Sequence, residues 1–165
     1  MKKIIICLIM LCSLAVQAKE FTEVVEISGK NKSQLYSSAR EWFAETFKSA
    51  EDVLQMDDSI AGKLIGKGMG DITVKSGMVP VSFNYDFTVK VFIKEGKYKY
   101  IIQDIAVISE GIRTNYEDYE AAKEKFKNKK KRVAFFDEIL NSIDSDMTQI
   151  VVSLKTKMKG IEDDW

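Results

Sequence analysis

The sequence predicts an α+β fold in which helices cover one face of an antiparallel sheet, and two patterns within its 165 residues indicate this class. Apolar residues recur at three- and four-residue spacing over 35–47, which is typical of an amphipathic helix. Apolar and polar residues alternate over 81–94, which is typical of a strand with one buried and one wet face. Because antiparallel sheets tolerate such strands best, we expect helices on one face of the sheet and solvent on the other.

The first 18 residues are predicted to form a signal peptide that is removed from the mature protein. Two lysines precede the apolar run 4–11, and the tripeptide 16–18 is a cleavage site of the A-x-A type. The apolar run is shorter than the roughly 20 residues that a membrane-spanning helix needs. We therefore expect cleavage before Lys19, export across the inner membrane, and residence in the periplasm or cell envelope.

Composition excludes several kinds of site. Both cysteines, Cys7 and Cys12, lie in the predicted leader, and the chain has no histidine. A mature chain without thiol or imidazole lacks the usual ligands of zinc, haem and iron–sulfur clusters, and it lacks Cys- and His-dependent nucleophiles. The 25 basic and 25 acidic side chains balance, so no net charge favours nucleic acid as a partner. We predict no cofactor, no metal and no catalytic residue.

The N-terminal half is predicted to begin with a strand at 20–28 and a turn at 29–32. Ser33 is the expected N-cap of the helix that follows, because a serine side chain can accept a hydrogen bond from the first helical turn. The apolar face of this helix consists of Leu35, Ala39, Trp42, Phe43 and Phe47.

Short strands are predicted at 53–56, 63–67 and 72–75, and the glycines between 62 and 70 separate the last two. These glycines do not match a phosphate-binding P-loop, because three residues instead of four precede the Gly-Lys pair and no Ser or Thr follows it. The dinucleotide fingerprint needs a helix at this point, where the sequence predicts a strand. We interpret the glycines as parts of bent or bulged edge strands.

The clearest strand of the chain, 81–94, is expected to continue through a two-residue turn at 95–96 into a second strand at 97–109. The alternation of the second strand slips near Asp104, which indicates a bulge. A further hairpin turn is expected at 76–77. The wet face of the first strand consists of Ser82, Asn84, Asp86, Thr88 and Lys90, which is too little positive charge to neutralise nucleic-acid phosphates.

The last third is predicted to be helical. A helix capped by Thr114 or Asn115 ends in the basic run 123–132, which we interpret as a solvated helix end and not as an anion site. An apolar stripe of three- and four-residue steps follows over 133–154. Polar residues around Asp144 lower the helix propensity, so the sequence leaves open whether the helix is continuous there.

The apolar stripe has two interpretations. Its width favours a helix face that covers the sheet. An unbroken helix over 133–158 would measure about 39 Å, whereas a typical strand spans only about 17 to 20 Å, so part of the stripe would overhang the sheet. The second interpretation is a partner surface that consists of Leu140, Ile143, Met147, Ile150 and Leu154.

Two pairs of acidic residues are candidates for carboxylate chemistry. Asp57 and Asp58 are adjacent, and neighbouring strand residues point to opposite faces, which excludes a shared site. Nothing in the sequence brings Asp71 and Asp104 together. We interpret all four as residues of turns and solvated edges.

The segments EFTEVVEISGKNKSQLY, AREWFAETFKSAEDVLQMDD and AGKLIGKG resemble a secreted family of Bacteroidetes that is a domain of unknown function with a TATA-binding-protein-like (TBP-like) fold. The resemblance covers 20–110 and implies a curved antiparallel sheet backed by helices, in the order β-α-β-β-β-β-α. It implies no activity and no catalytic residues. We expect the TBP-like domain at 19–111 and a helical segment at 112–165 that packs on the same domain.

These observations predict a non-catalytic binding or assembly module of the cell envelope, whose partner is another protein or a second copy of the chain. One alternative is a carrier that holds a small apolar ligand between sheet and helices. Its ligand contacts would be Trp42, Phe83, Tyr85 and Phe87. A carboxylate-dependent hydrolase is the third hypothesis.

Overall fold

The computed structural model describes residues 18–47, 53–76 and 79–160. Within these residues it contains β1 (Phe21–Glu26), α1 (Lys32–Thr46), β2 (Leu54–Asp58), β3 (Lys63–Ser76), β4 (Val79–Lys94), β5 (Lys97–Ser109), β6 (Ile112–Asn115), α2 (Tyr116–Lys125) and α3 (Lys130–Lys159). None of the helices in this part is long and apolar enough to cross a membrane. Of the predicted leader, only Ala18 belongs to the described residues. Of the predicted turn at 76–77, only Ser76 belongs to them.

The strands form one curved antiparallel sheet in the order β1-β5-β4-β3-β2, with β6 also paired to β5. β1 pairs with β5 over 97–102 and β6 pairs with it over 106–109, so these two short strands follow one another along the same edge. The predicted α+β class and antiparallel sheet are confirmed. The segment 112–165 begins with a strand, not a helix, because a positive φ of 80° at Gly111 turns the chain back onto β5.

A bulge interrupts β5 where the alternation of the sequence slips, as predicted. The register with β4 shifts between Asp86 and Thr88, and Asp104 has a φ of 57°. The side chain of Arg113 on β6 spans this region. Its guanidinium donates to the Asp104 carbonyl at 2.7 Å and lies 2.8 Å from a carboxylate oxygen of Asp86.

β3 is one continuous strand, so the prediction of two short strands separated by glycines is wrong. It pairs with β4 residue by residue over its whole length. Gly68 lies opposite Phe87 and Gly70 lies opposite Tyr85, and the aromatic ring occupies the place where each glycine would carry a side chain. The glycines therefore admit large buried rings without breaking the ladder.

The N-cap of helix α1 lies two residues earlier than predicted. Asn31, not Ser33, is the N-cap, and its side-chain oxygen accepts a hydrogen bond from the Gln34 backbone N–H at 2.9 Å. The Gln34 side chain accepts from the Asn31 backbone N–H at 2.9 Å, which completes a capping box. The predicted apolar face, including Leu35 and Phe43, is buried.

Helix α3 is unbroken, which answers the question of its continuity near Asp144 that the sequence left open. The Asp144 side chain accepts hydrogen bonds from Tyr116 and Lys19 and does not compete for the backbone of its own helix. Ile143 and Met147, on either side of it, are fully buried. Burial of the apolar face therefore outweighs the low helix propensity of the polar residues.

The apolar stripe belongs to the core, which corrects its interpretation as a partner surface. Ile143, Met147 and Leu154 are 0% exposed and Leu140 is 6% exposed, while Ile150 is half-buried and packs against the same core. The predicted overhang assumed strands of typical length. β3 and β4 have 14 and 16 residues, or about 46 to 53 Å, which matches the about 45 Å of the 30-residue α3.

Candidate functional site

The face of the sheet that no described helix covers is the candidate functional site. Alternate side chains of β3, β4 and β5, among them Leu64, Val91 and Tyr98, are buried on the helix side. The side chains between them point the other way and form the open face. Its central part consists of Lys63, Ile65, Lys67 and Met69 of β3, Asp86, Thr88, Lys90, Phe92 and Lys94 of β4, and Lys97, Lys99, Ile101 and Gln103 of β5.

Six lysines are concentrated on one half of the open face: Lys63, Lys67, Lys90, Lys94, Lys97 and Lys99. None of them forms an ion pair within the described part of the chain. Lys94 lies directly opposite Lys97, an arrangement of like charges that destabilises a sheet. The strand pairing therefore concentrates positive charge that internal partners do not neutralise.

Apolar side chains lie between the lysines. Phe92 is paired across the sheet with Lys63 on one side and Lys99 on the other, and the Lys63 ammonium lies 5.7 Å from the Phe92 ring centroid. Val24 on β1 and Met69 on β3 are 57% and 69% exposed. The open face thus offers both positive charge and apolar contact area.

Acidic residues border the lysine half of the open face. Glu26 on β1 is paired with Lys97, and Asp58 on β2 is paired with Lys63. At the other end of the face, Asp71 on β3 lies opposite Asn84, and Asp86 is paired with Arg113. The face therefore has a bounded positive area and not a uniform charge.

Sequence reasoning missed this cluster. It considered the wet face of 81–94 alone, which supplies Lys90 and Lys94, and concluded that positive charge was scarce. The strand register adds two lysines from β3 and two from β5 to the same area. The spacing of two between Lys97 and Lys99 and of four between Lys63 and Lys67 places each pair on one face of its strand, and this signal is present in the sequence.

The acidic pairs Asp57 with Asp58 and Asp71 with Asp104 do not form shared sites. Asp58 accepts a hydrogen bond from the Ala61 backbone N–H at 2.8 Å within a turn, while Asp57 contacts helix α1. Asp71 and Asp104 belong to β3 and β5, which β4 separates. Within the described ranges, no group of three or more acidic side chains is arranged to hold a metal ion.

Asp57 joins β2 to α1. The Arg40 guanidinium donates to one of its carboxylate oxygens at 2.8 Å and the Tyr36 hydroxyl donates to the other. The hydrogen bond from Arg40, followed by that from Tyr36, lowers the pKa of Asp57 below its ordinary value. The contact therefore contributes stability above the ordinary aspartate pKa of about 3.9, and this contribution disappears as the pH falls through the lower, folded-state pKa.

We expect Asp57→Asn to lower the urea midpoint by about 0.3 M at pH 7. The difference from the wild type should shrink below about pH 4, because the wild-type carboxylate then becomes protonated. Urea unfolding between pH 7 and pH 3 measures both effects. Asp118→Asn, at an exposed position of α2, controls for the loss of one charge. A difference between Asp57→Asn and the wild type that does not change with pH would contradict an ionic role of Asp57.

The aromatic residues proposed to hold an apolar ligand fill the core themselves. Trp42, Tyr85 and Phe87 are 2% exposed, and Phe83 packs against Phe135 with ring centroids 6.2 Å apart. The Trp42 indole N–H donates to Ser153 Oγ and the Tyr85 hydroxyl donates to Asp146, each at 2.9 Å. Each ring contacts another aromatic ring, and the polar atoms of Trp42 and Tyr85 are hydrogen-bonded, as expected of core residues.

A surface groove of about 740 Å³ runs between α3 and β3. It is open to solvent, and its lining includes Asp71, Thr73, Glu138, Asn141 and Asp146. Its charge has the opposite sign to that of the lysine half of the open face. The two surfaces therefore suit different partners.

A curved antiparallel sheet with helices on one face and a second face open defines a TBP-like α+β protein. A family model described as "Domain of unknown function (DUF4468) with TBP-like fold" matches residues 21–107, which include α1 and extend from β1 into β5. The chain belongs to this family. The resemblance seen in the sequence is thereby confirmed for the family and its fold.

Two solved structures share the fold. A DUF4468 family protein from Bacteroides ovatus superposes with a TM-score of 0.63 at 17% identity, covering 84% of this chain and 87% of its own. A TBP-like protein from Parabacteroides distasonis superposes with a TM-score of 0.57 at 10% identity, covering 83% of this chain and 92% of its own. No curated protein matches the sequence significantly.

Proposed function

We propose that this chain is a non-catalytic binding or assembly module, exported across the inner membrane into the cell envelope, which binds an acidic segment of another protein on its open face. The observation that supports the proposal is the group of six lysines on three adjacent strands, without ion-pair partners in the described residues. Complementary charge steers partners together and sets their orientation.

The pattern of the open face favours a protein segment over a lipid surface. A membrane of anionic lipid presents one uniform charge, and it would repel Glu26 and Asp58 at the borders of the lysine half and Asp71 at the other end of the face. A polypeptide can place acidic side chains against the lysines and apolar ones against Phe92 and Met69. Apolar contacts surrounded by polar ones are the usual anatomy of protein interfaces.

The size of the lysine half suits a single segment. Three adjacent strands span about 14 Å, and seven residues of β3, from Lys63 to Met69, span about 24 Å. The resulting area of roughly 350 Å² is smaller than the about 800 Å² that each partner buries in a typical stable complex. A helix or an extended peptide of the partner is therefore the expected contact.

We expect the double variant Lys67→Glu with Lys99→Glu to reduce recovery of the partner at least tenfold. Both side chains are exposed, so the change reverses charge on the open face without altering the core. The test is co-purification from envelope extracts of the host, quantified by mass spectrometry. The matched control is Lys130→Glu with Lys131→Glu, which makes the same reversal of charge at exposed positions of α3. It should leave recovery of the partner unchanged.

Photo-cross-linking identifies what contacts the open face. A benzophenone amino acid at Met69 should capture a protein through an acidic segment, and the same group at Ala44, exposed on α1, should not. A synthetic peptide of the captured segment should bind more weakly as salt is raised. Capture of a second copy of this chain, or binding to phosphatidylglycerol vesicles in place of a protein, would overturn the proposed partner. Equal recovery by both double variants would overturn the open face as the site.

A further inference from the structure

The start of the predicted mature chain is held by the C-terminal helices. The backbone nitrogen of Lys19 donates to Glu117 Oε1 on α2 at 2.6 Å. Its side-chain ammonium lies 3.0 Å from Asp144 Oδ2 on α3 and 5.0 Å from the ring centroids of Phe21 and Tyr116. Lys19 therefore has separate contacts for its backbone nitrogen and its side chain, on elements about 100 residues away in sequence.

We infer that Glu117 is the binding site for a new N-terminus, the α-ammonium group that Lys19 acquires when the peptide bond between Ala18 and Lys19 is hydrolysed. The inference rests on the proposed export, because the peptidase that removes exported leaders supplies the cleavage. Bound in this way, the processed N-terminus ties β1 to α2 and, through the Lys19 side chain, to α3.

The surroundings of this bond suit processing. Ala18 is exposed and lies outside any strand or helix, and β1 begins only at Phe21. Cleavage before Lys19 therefore leaves every described strand and helix intact. A peptidase needs an accessible, extended segment of this kind.

The chemistry converts a neutral donor into a charged one. Hydrolysis adds one water molecule across the amide, breaks its C–N bond, leaves a carboxylate on Ala18 and leaves an amine on Lys19 that takes up a proton near neutral pH. The amine then faces a carboxylate already within hydrogen-bond distance. Processing adds a positive charge to the donor of a hydrogen bond whose acceptor is a carboxylate, so Coulomb attraction between opposite charges is gained.

Glu117 lies at the start of a helix. It is in the first turn of α2, and a carboxylate at a helix N-terminus is stabilised by the helix dipole. Before cleavage the nitrogen of Lys19 offers this carboxylate a neutral amide N–H, whereas after cleavage it offers a full positive charge. Processing should therefore strengthen the attachment of the N-terminus to the C-terminal helices.

The test has two parts that separate export from binding. First, the full precursor is expressed in a bacterium that exports it, and intact mass gives the first residue of the product, which should be Lys19. Second, melting temperatures are compared for chains that start at Lys19 and at Ala18, each with Glu117 and with Glu117→Gln. The chain that starts at Lys19 should melt about 2–4 °C higher, and Glu117→Gln should abolish this difference.

Glu120→Gln, at an exposed position of the same helix, is the matched control and should preserve the difference. Two results would overturn the binding site while leaving export intact. The first is an equal melting temperature for the chains that start at Lys19 and at Ala18 when both retain Glu117. The second is a difference in melting temperature that persists after Glu117→Gln. A product that keeps its leader would overturn both the export and the site. A product that begins at another residue would overturn the site alone.

Discussion

Replacing Ile143 by alanine should lower the free energy of unfolding by about 3 kcal/mol. Ile143 is 0% exposed in the middle of α3, among core residues contributed by both the sheet and α1. Its truncation removes buried methyl groups and leaves a cavity that the surrounding rigid elements cannot close. Urea unfolding followed by circular dichroism measures the effect, and the transition slope should stay unchanged.

Val152→Ala is the matched control for this variant, because Val152 is 58% exposed on the same helix. Its effect should remain within about 0.5 kcal/mol. The comparison also tests the rejected interpretation of the apolar stripe. If Ile143→Ala changed self-association or partner recovery while leaving stability unaltered, the stripe would be a partner surface after all.

Replacing Gly68 by alanine should lower the free energy of unfolding by about 2 kcal/mol. The added methyl group would lie 2.5 Å from Phe87 Cε2 and 2.8 Å from Phe47 Cε1. Both rings are buried and in contact with other aromatic residues, so neither can move away without disturbing the core. Alanine is favoured over glycine in a strand by about 0.5–1 kcal/mol, because it loses less conformational entropy on folding. This advantage is smaller than the cost of the overlap.

A double-mutant cycle checks the cause of that loss. In a Phe87→Leu background, the smaller side chain leaves room at position 68, so Gly68→Ala should cost less there than in the wild type. Met69→Ala, at the neighbouring position on the open face, should change stability by less than about 0.5 kcal/mol. An equal cost of Gly68→Ala in both backgrounds would show that overlap with Phe87 is not the cause.

Local sequence patterns were sufficient to predict the elements whose buried face follows from the spacing of their own apolar residues. The three- and four-residue spacing of Leu35, Ala39 and Phe43 predicted α1 and its buried face, and the alternation over 81–94 predicted β4. The slip near Asp104 located the bulge of β5. Each of these signals depends on residues within one or two turns or pleats of each other.

What the sequence-based prediction missed or left open has tertiary causes. The glycines of β3 suggested breaks, but Phe87 and Tyr85 from the next strand fill the space above them. The polar residues near Asp144 left the continuity of the helix open, and it is continuous because Tyr116 and Lys19 bind that carboxylate and burial of the helix face outweighs propensity. The pattern of a single sequence does not show which distant residues will contact one another in the fold.

The sequence alone therefore established the α+β class, the antiparallel sheet and the helix α1, because hydrophobic periodicity reports which face of each element is buried. Its characteristic segments separately supplied the family resemblance. Tertiary structure alone decided that α3 is continuous, that its stripe is core, and that lysines from three strands form one positive area. These features depend on strand register and on contacts between residues far apart in the chain. Hydrogen bonding between strands and burial of the shared core set that register only when the whole domain is assembled.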